Sequence, residues 1–251
     1  MPLLGLTGYP LSHSFSPAYF RQKFEDEGLS DWDYRLFPLI DADLIPGLTA
    51  LEKKLIALNI TIPHKQAVLK HCQYLSDDVK TIGAANLILI NRTEGKNPEL
   101  YAHNTDHYGF ITSLKNSLPD LNGRALILGN GGSSKAVAYA LSCAGMPFDI
   151  AGRNLKLKYH NVLLQNYRLI VNCTPVGMKT EQGGDELLPL NYEAINDLHF
   201  FYDLVYNPET TAMMKKFSDK EATVKNGLEM LHLQADRGWE IIKAHYRDID
   251  T

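Results

Sequence analysis

The chain has 251 residues, of which 45% are hydrophobic and 22% charged, with a formal net charge of −4. That balance excludes global disorder, which needs low hydrophobicity and high net charge, and offers no basic block for nucleic acid. No run of ~18 apolar residues is present to span a membrane, and the length sets a prior of one to two domains.

The opening MPLLGLTGYP lacks the charged n-region and long apolar h-region of a signal peptide. Leu3–Gly8 reads as a strand and Ser16–Glu27 as a helix entered through Pro17. Trp32–Pro38 and Leu55–Ile62 read as further strands, with a helix over Ala42–Lys53 between them. Gln66–Leu75 and Asp77–Ile82 read as helical. Ala85–Asn91 and Leu100–His103 follow as strands joined by a polar hairpin loop, Arg92–Pro98. Alternating strands and helices predict βαβ units and a mostly parallel sheet.

A second block opens with a helix from about Tyr108 to Leu118. Arg124–Leu128, Pro147–Ala151, Tyr167–Asn172 and Phe200–Val205 are short apolar strands, suited to a doubly wound sheet buried on both faces. Leu228, Leu231, Ala235, Trp239, Ile242 and Tyr246 recur at helical spacing in a last helix from Asn226. Asn226 can cap it, with Glu229 reaching back to the cap. The cysteines, Cys72, Cys143 and Cys173, form no CxxC pair, which argues against a disulfide framework or zinc site and for a reducing cytoplasm. No histidine spacing suggests a metal.

The strand Leu126–Leu128 runs into Gly129-Asn130-Gly131-Gly132-Ser133-Ser134 and then a helix. Glycine is needed where a backbone turns sharply and presents amides to a pyrophosphate at a helix N-terminus. Ser134 stands where the GxGxxG pattern has its third glycine. An NAD site expects an acid near the end of the next strand. Here that end reads Gly152-Arg153-Asn154, and a cation suits a 2′-phosphate, so NADP is favoured, with Lys156 and Lys158 nearby. Two other polar clusters lie at expected strand ends, Ser12 to Ser16 and Asn59 to Lys65. The segment Asn104-Thr105-Asp106 places a carboxylate between a strand and a helix. Each has a plain alternative: a helix cap, a solvated lysine, an N-cap acid.

Taken in order, His13-Ser14-Phe15-Ser16-Pro17, Asn59-Ile60-Thr61-Ile62-Pro63-His64-Lys65, Ile82-Gly83-Ala84-Ala85-Asn86, Asn104-Thr105-Asp106 and the Gly129 turn resemble the shikimate/quinate dehydrogenase family. So do Asn172 to Met178, Asp203 to Pro208 and Asn226 to Leu231, followed by Gln234. The resemblance runs nearly end to end. It implies two α/β domains. The first is a mixed, mostly parallel substrate domain over residues 1–107, completed by the helix 226–251. The second is a Rossmann-like NADP domain over 108–225.

The resemblance also implies roles. Lys65 and Asp106 would be catalytic. Ser14 and Ser16 would hold a substrate carboxylate, and Thr61, Asn86, Gln234 and Tyr206 would complete the substrate site. Gly129, Asn130, Gly131, Gly132 and Ser133 would hold the pyrophosphate, and Gly152, Arg153 and Asn154 the 2′-phosphate. Thr174, Val205 and Gly227 would line the nicotinamide. The implied reaction is NADPH-dependent reduction of 3-dehydroshikimate to shikimate by a monomer or homodimer. Its partners are small molecules, with no nucleic acid or membrane. Quinate or NAD use, or a non-catalytic ligand-binding protein on the same scaffold, are the alternatives. Three departures stand out. Leu87 replaces a usual threonine, Gly152 and Asn154 replace the usual neighbours of the arginine, and His107 follows Asp106 in place of a small residue.

Overall fold

The computed structural model describes residues 1–11, 14–179 and 184–249, the last three without their side chains. It divides into two compact units, Met1–Thr105 with Gly238–Thr251, and Asp106–Arg237. Both are α/β, as the sequence predicts.

The first unit is built on a six-stranded sheet. Its strands are β1 (Leu3–Gly8), β2 (Asp33–Pro38), β3 (Leu55–Ile60), β4 (Tyr74–Leu75), β5 (Leu87–Asn91) and β6 (Glu99–His103), in the order β2-β1-β3-β5-β6-β4. The pairs β1–β2, β1–β3 and β4–β6 are parallel, while β5 runs antiparallel to β3 and β6. Three helices, α1 (Ser16–Asp26), α2 (Ile45–Leu51) and α3 (Asp77–Ile82), accompany it. Leu3, Ile45, Leu55, Leu58, Val68, Val79 and Ile88 form one continuous buried core. A second, aromatic core joins α1 to the C-terminal helix. Phe20 stacks on Tyr34 at 4.6 Å, and Trp239 meets Phe24 and Trp32 edge-on or tilted at 5.6 and 5.1 Å.

The second unit holds α4 (Asp106–Ser117), β7 (Ala125–Leu128), α5 (Gly132–Cys143), β8 (Phe148–Ala151), β9 (Leu169–Asn172), β10 (Phe200–Asp203), α6 (Ala212–Ser218), β11 (Thr223–Lys225) and the start of α7 (Leu228–Ile249). All its strand pairs are parallel, in the order β11-β10-β9-β7-β8. The chain moves outward from β7 in both directions, so β7 and β9 flank the switch point where open α/β sheets bind ligands. The unit's core lies on both faces of the sheet. One face carries Leu126, Ile170 and Phe201, the other Ile127, Val171 and Tyr202.

Several local expectations are corrected. Gln66–Leu75 is not a helix: a 3-10 turn at Ala67–His71 is followed by extended Cys72 and the edge strand β4. Gln73 draws the chain there, since its N–H donates to the Leu100 carbonyl and its side chain accepts from the Leu100 N–H. The Ala42–Lys53 helix begins as a 3-10 turn at Ala42–Leu44, and Pro46 sits in the first turn of α2, where a missing N–H costs nothing. Asn226 does cap α7, accepting from the Leu228 N–H at 3.1 Å. Glu229 does not reach back to it. It accepts instead from Ser113, Asn116 and Lys225. Those bonds, and the close passage of Gly109 against Met230 and Gln234, explain why the unit boundary falls within α7 rather than ahead of it.

Candidate active site

In the first unit, β1 and β3 end side by side. The Thr61 N–H donates to the Thr7 carbonyl, and the Tyr9 N–H to the Ile62 carbonyl. Gly8 is required by this approach, because a Cβ there would overlap the Thr61 methyl and come within 2.6 Å of the Ile62 oxygen. The Thr61 carbonyl accepts from the His64 N–H and the Lys65 carbonyl from the Ala85 N–H. The His64 ring, buried, bonds the Leu39 carbonyl at 2.7 Å. These bonds fix the turn that carries Lys65, which is half-buried.

Ser14 and Ser16 flank the start of α1. Ser14 Oγ accepts from the Ser16 N–H at 3.3 Å. The fully buried Tyr34 phenol donates to Asn59 Oδ1 at 2.9 Å and shares a hydrogen bond with the Ser16 hydroxyl; burial pushes its pKa up. His13, the first residue of that motif, lies outside the described residues. Asn86 is also buried, and its amide is engaged with Thr105: Nδ2 to Oγ1 at 2.9 Å, and Oδ1 accepting from the Thr105 N–H at 2.7 Å. The unit thus brings Ser14 and Ser16 together at one strand end, and Thr61 and Lys65 together at another. Asn86 it commits to packing the Asn104-Thr105 segment.

In the second unit, Asp106 is the buried first residue of α4, where a helix N-terminus favours negative charge. Next to it, His107 packs edge-on to Tyr139 of α5 at 5.2 Å. Tyr206 follows β10 and is partly buried, which raises its pKa. Gln234 Nε2 donates to the Leu231 carbonyl of its own helix at 2.9 Å.

The glycine turn fits a pyrophosphate on three counts. Gly129 has φ +109°, and a Cβ there would meet Thr174 at 3.1 Å. Gly131 caps the twelve-residue α5, and a Cβ on it would meet nothing, so the amides at this helix end lie open to an anion. Ser134 Oγ is buried and has no hydrogen-bond partner among the described residues. The Gly129 N–H donates to Ala151, and the Cys173 N–H to Leu128. Through these bonds the turn is tied to both neighbouring strand ends.

Beyond Ala151, a tight loop carries Gly152, Arg153 and Asn154. The Gly152 N–H donates to the Leu157 carbonyl, and Lys158 Nζ donates to the Arg153 carbonyl at 2.7 Å. Arg153 is exposed. Gly227 lies against the Leu204 backbone so closely that a Cβ would overlap its carbonyl, and the Gly227 N–H donates to Val205. Gly227, Val205 and, through Asn172, Thr174 therefore gather at the carboxyl ends of β9 and β10.

The sequence reading assigned Asp203, Asn172 and Thr211 no role. Asp203 Oδ1 accepts from Asn172 Nδ2 at 2.8 Å and from the Val205 N–H at 3.0 Å, and Oδ2 accepts from Thr211 at 2.7 Å. All three residues are wholly buried. The visible signal was three polar residues, each standing where a buried strand or helix meets a loop. Among the described residues no group of His, Cys, Asp or Glu is arranged to hold a metal ion, and no helix is long and apolar enough to cross a membrane.

The chain is similar to known proteins along nearly its whole length. A family model for the substrate binding domain of shikimate dehydrogenase matches residues 6–88. The chain is 34% identical over 257 residues to the NADP(+) shikimate dehydrogenase of Prochlorococcus marinus, covering 92% of this chain and 88% of that one. It is 32% identical over 273 residues to that of Caldanaerobacter subterraneus, covering 99% and 94%. Among solved structures, shikimate 5-dehydrogenase from Thermus thermophilus in complex with NADP(H) and shikimate superposes with a TM-score of 0.83. The two are 31% identical over 97% of this chain and 94% of that one. Quinate dehydrogenase from Corynebacterium glutamicum, 23% identical, shares the fold with a TM-score of 0.83.

Proposed function

The chain belongs to the shikimate dehydrogenase family, and we propose that Lys65 and Asp106 carry the proton chemistry of its reaction. The enzyme is an NADP-dependent oxidoreductase that reduces 3-dehydroshikimate to shikimate. NADPH, when bound, supplies hydride to the C3 carbonyl carbon. The developing alkoxide then needs a proton and a positive partner.

Lys65 meets both needs. Its ammonium polarises the carbonyl oxygen and donates a proton to that oxygen. Asp106, the carboxylate of the pair, sits buried at the α4 N-terminus, where negative charge is favoured. Ser14 and Ser16, at the start of α1, bind the substrate carboxylate. Thr61, Asn86, Asp106 and Gln234 bind the ring hydroxyls, and Tyr206 completes the substrate site. Gly129, Asn130, Gly131, Gly132 and Ser133 hold the pyrophosphate, Gly152, Arg153 and Asn154 the 2′-phosphate, and Thr174, Val205 and Gly227 the nicotinamide.

The observation that carries the cofactor assignment is the open α5 N-terminus beside the positive-φ Gly129 at the switch point. Three cysteines that form no disulfide support a place in a reducing cytoplasm. The test follows reduced-cofactor absorbance with shikimate or quinate, each with NADP and with NAD. Turnover fastest for shikimate with NADP is the expected result. Faster quinate or NAD turnover would move the enzyme to the related specificity, and binding of shikimate without turnover would make it a non-catalytic relative.

A further inference from the structure

We infer that Asp203 is a positioning residue for the cofactor, a buried tie that sets the two loops carrying Thr174 and Val205. The inference rests on the assignment of those loops to the nicotinamide made above.

The geometry is that of a three-way junction. One carboxylate joins the end of β9 through Asn172, the start of the loop after β10 through the Val205 N–H, and the start of α6 through Thr211. Each partner passes the constraint on. Asn172 Oδ1 accepts from the N–H and hydroxyl of Thr174 at 3.0 and 2.7 Å, and Thr174 Oγ1 in turn accepts from the Val176 N–H. The Val205 carbonyl accepts from Gly227, and Thr211 Oγ1 accepts from the Met214 N–H as the cap of α6. Thr174, Val205 and Gly227 are thus one or two bonds from Asp203.

An acid is a costly choice for this junction. Its partners are neutral donors, and Asp203 is wholly buried. Burial outweighs the three bonds and pushes its carboxyl up to about 6. Only a carboxylate, however, accepts at both oxygens from donors on three different segments at once. Its place at the carboxyl edge of a parallel sheet, one strand from the switch point, is where such rigidity serves a ligand.

The experiment compares Asp203→Asn, Thr211→Val and Thr211→Ser with the full-length wild type. It measures NADPH affinity by tryptophan fluorescence, shikimate affinity by calorimetry, and Tm. Asp203→Asn is expected to weaken NADPH by about tenfold or more, the worth of one hydrogen bond to a charged group, with shikimate affinity unchanged. Thr211→Val, which removes one of the three bonds, shifts NADPH affinity the same way by less, and Thr211→Ser restores it. Unchanged NADPH affinity in folded Asp203→Asn overturns the inference, as does equal loss of both ligands with a fall in Tm. If Asp203→Asn does not fold, wild-type NADPH affinity in Thr211→Val overturns it. A wild type that binds no NADPH overturns the cofactor assignment itself, and this inference with it.

Discussion

Arg124 grips Asp149 through two parallel hydrogen bonds, Nε to Oδ2 at 2.6 Å and Nη2 to Oδ1 at 2.9 Å. The Tyr167 hydroxyl donates to the same Oδ2 at 2.9 Å. Asp149 lies early in β8, opposite Leu126 near the start of β7, away from the carboxyl end where an NAD enzyme would carry the acid that holds its ribose diol. Asp149 is committed to these internal partners. Arg153, in the loop just beyond the carboxyl end of the same strand, is left exposed.

The consequence is a prediction about cofactor choice. Arg153→Ser should raise KM for NADPH by roughly 10- to 100-fold, the value of a charge-assisted contact to phosphate, and leave KM for NADH nearly unchanged. Asp149→Asn should leave the NADPH to NADH ratio untouched, because it disturbs only the Arg124 clasp. Steady-state kinetics with both cofactors check this. An equal rise for NADPH and NADH in Arg153→Ser would assign Arg153 to loop structure instead.

Lys65→Ala should lower kcat by roughly 10²- to 10⁴-fold, the usual range for a positioned acid–base group. Shikimate affinity should change far less, since the proposal gives substrate binding to the serines and Thr61. Rapid-mixing kinetics beside equilibrium titration separate the two effects. A near-normal kcat would remove Lys65 from catalysis.

Gly8 and Thr61 meet where β1 and β3 end. Gly8→Ala must push the Thr61 methyl or the Ile62 carbonyl aside, and overpacking of this kind costs about 1–3 kcal/mol. With Thr61 in the substrate contact proposed for it, shikimate affinity should fall while NADPH affinity holds. Denaturation and two titrations test it, and an unaltered shikimate affinity would show that the Thr61 loop does not read the substrate.

Trp239 is 1% exposed and donates from Nε1 to Glu27 at 2.7 Å, with Lys243 on the same carboxylate at 3.0 Å. Burial opposes the Glu27 charge, but the indole and ammonium outweigh it and hold the carboxyl below its usual range. Trp239→Ala should cost roughly 3–5 kcal/mol. A lowered carboxyl adds stability above its unfolded pKa and loses it as pH falls. The gap between wild type and Glu27→Gln in urea unfolding should therefore close from pH 6 toward pH 3, and a constant gap would contradict it.

What the sequence made legible follows from the range of each interaction. Leu3–Gly8 and Asp77–Ile82 were read to the residue because local pattern decides them. The strand β11 spans only Thr223–Lys225, and β4 only Tyr74–Leu75. Neither is long enough to show a period, and each exists because a longer neighbour offers an edge. The site motifs were legible as clusters at strand ends. Their internal wiring was not, since Tyr34 reaches Asn59 across 25 residues and Asn172 reaches Asp203 across 31. Glu229 shows the same limit: a capping pattern in the sequence was overruled by Lys225, Ser113 and Asn116.

Asp203 gives the last prediction its sign. Burial raises its carboxyl to about 6 in the folded protein, above the ordinary value near 4 that it regains on unfolding. Between those values the folded state holds the extra proton, so stability from this group is complete below about pH 4 and is lost as pH rises through 6. The loss amounts to roughly 3 kcal/mol for a shift of about two pH units. Glu27 acts in the opposite direction over an overlapping range, so the net curve alone is not diagnostic. The difference between wild type and Asp203→Asn is, because every other group cancels. Urea unfolding at pH 4, 5, 6 and 7 should show wild type losing stability relative to Asp203→Asn as pH rises, with the difference levelling above pH 7. Parallel curves for the two proteins would mean that Asp203 does not hold that proton.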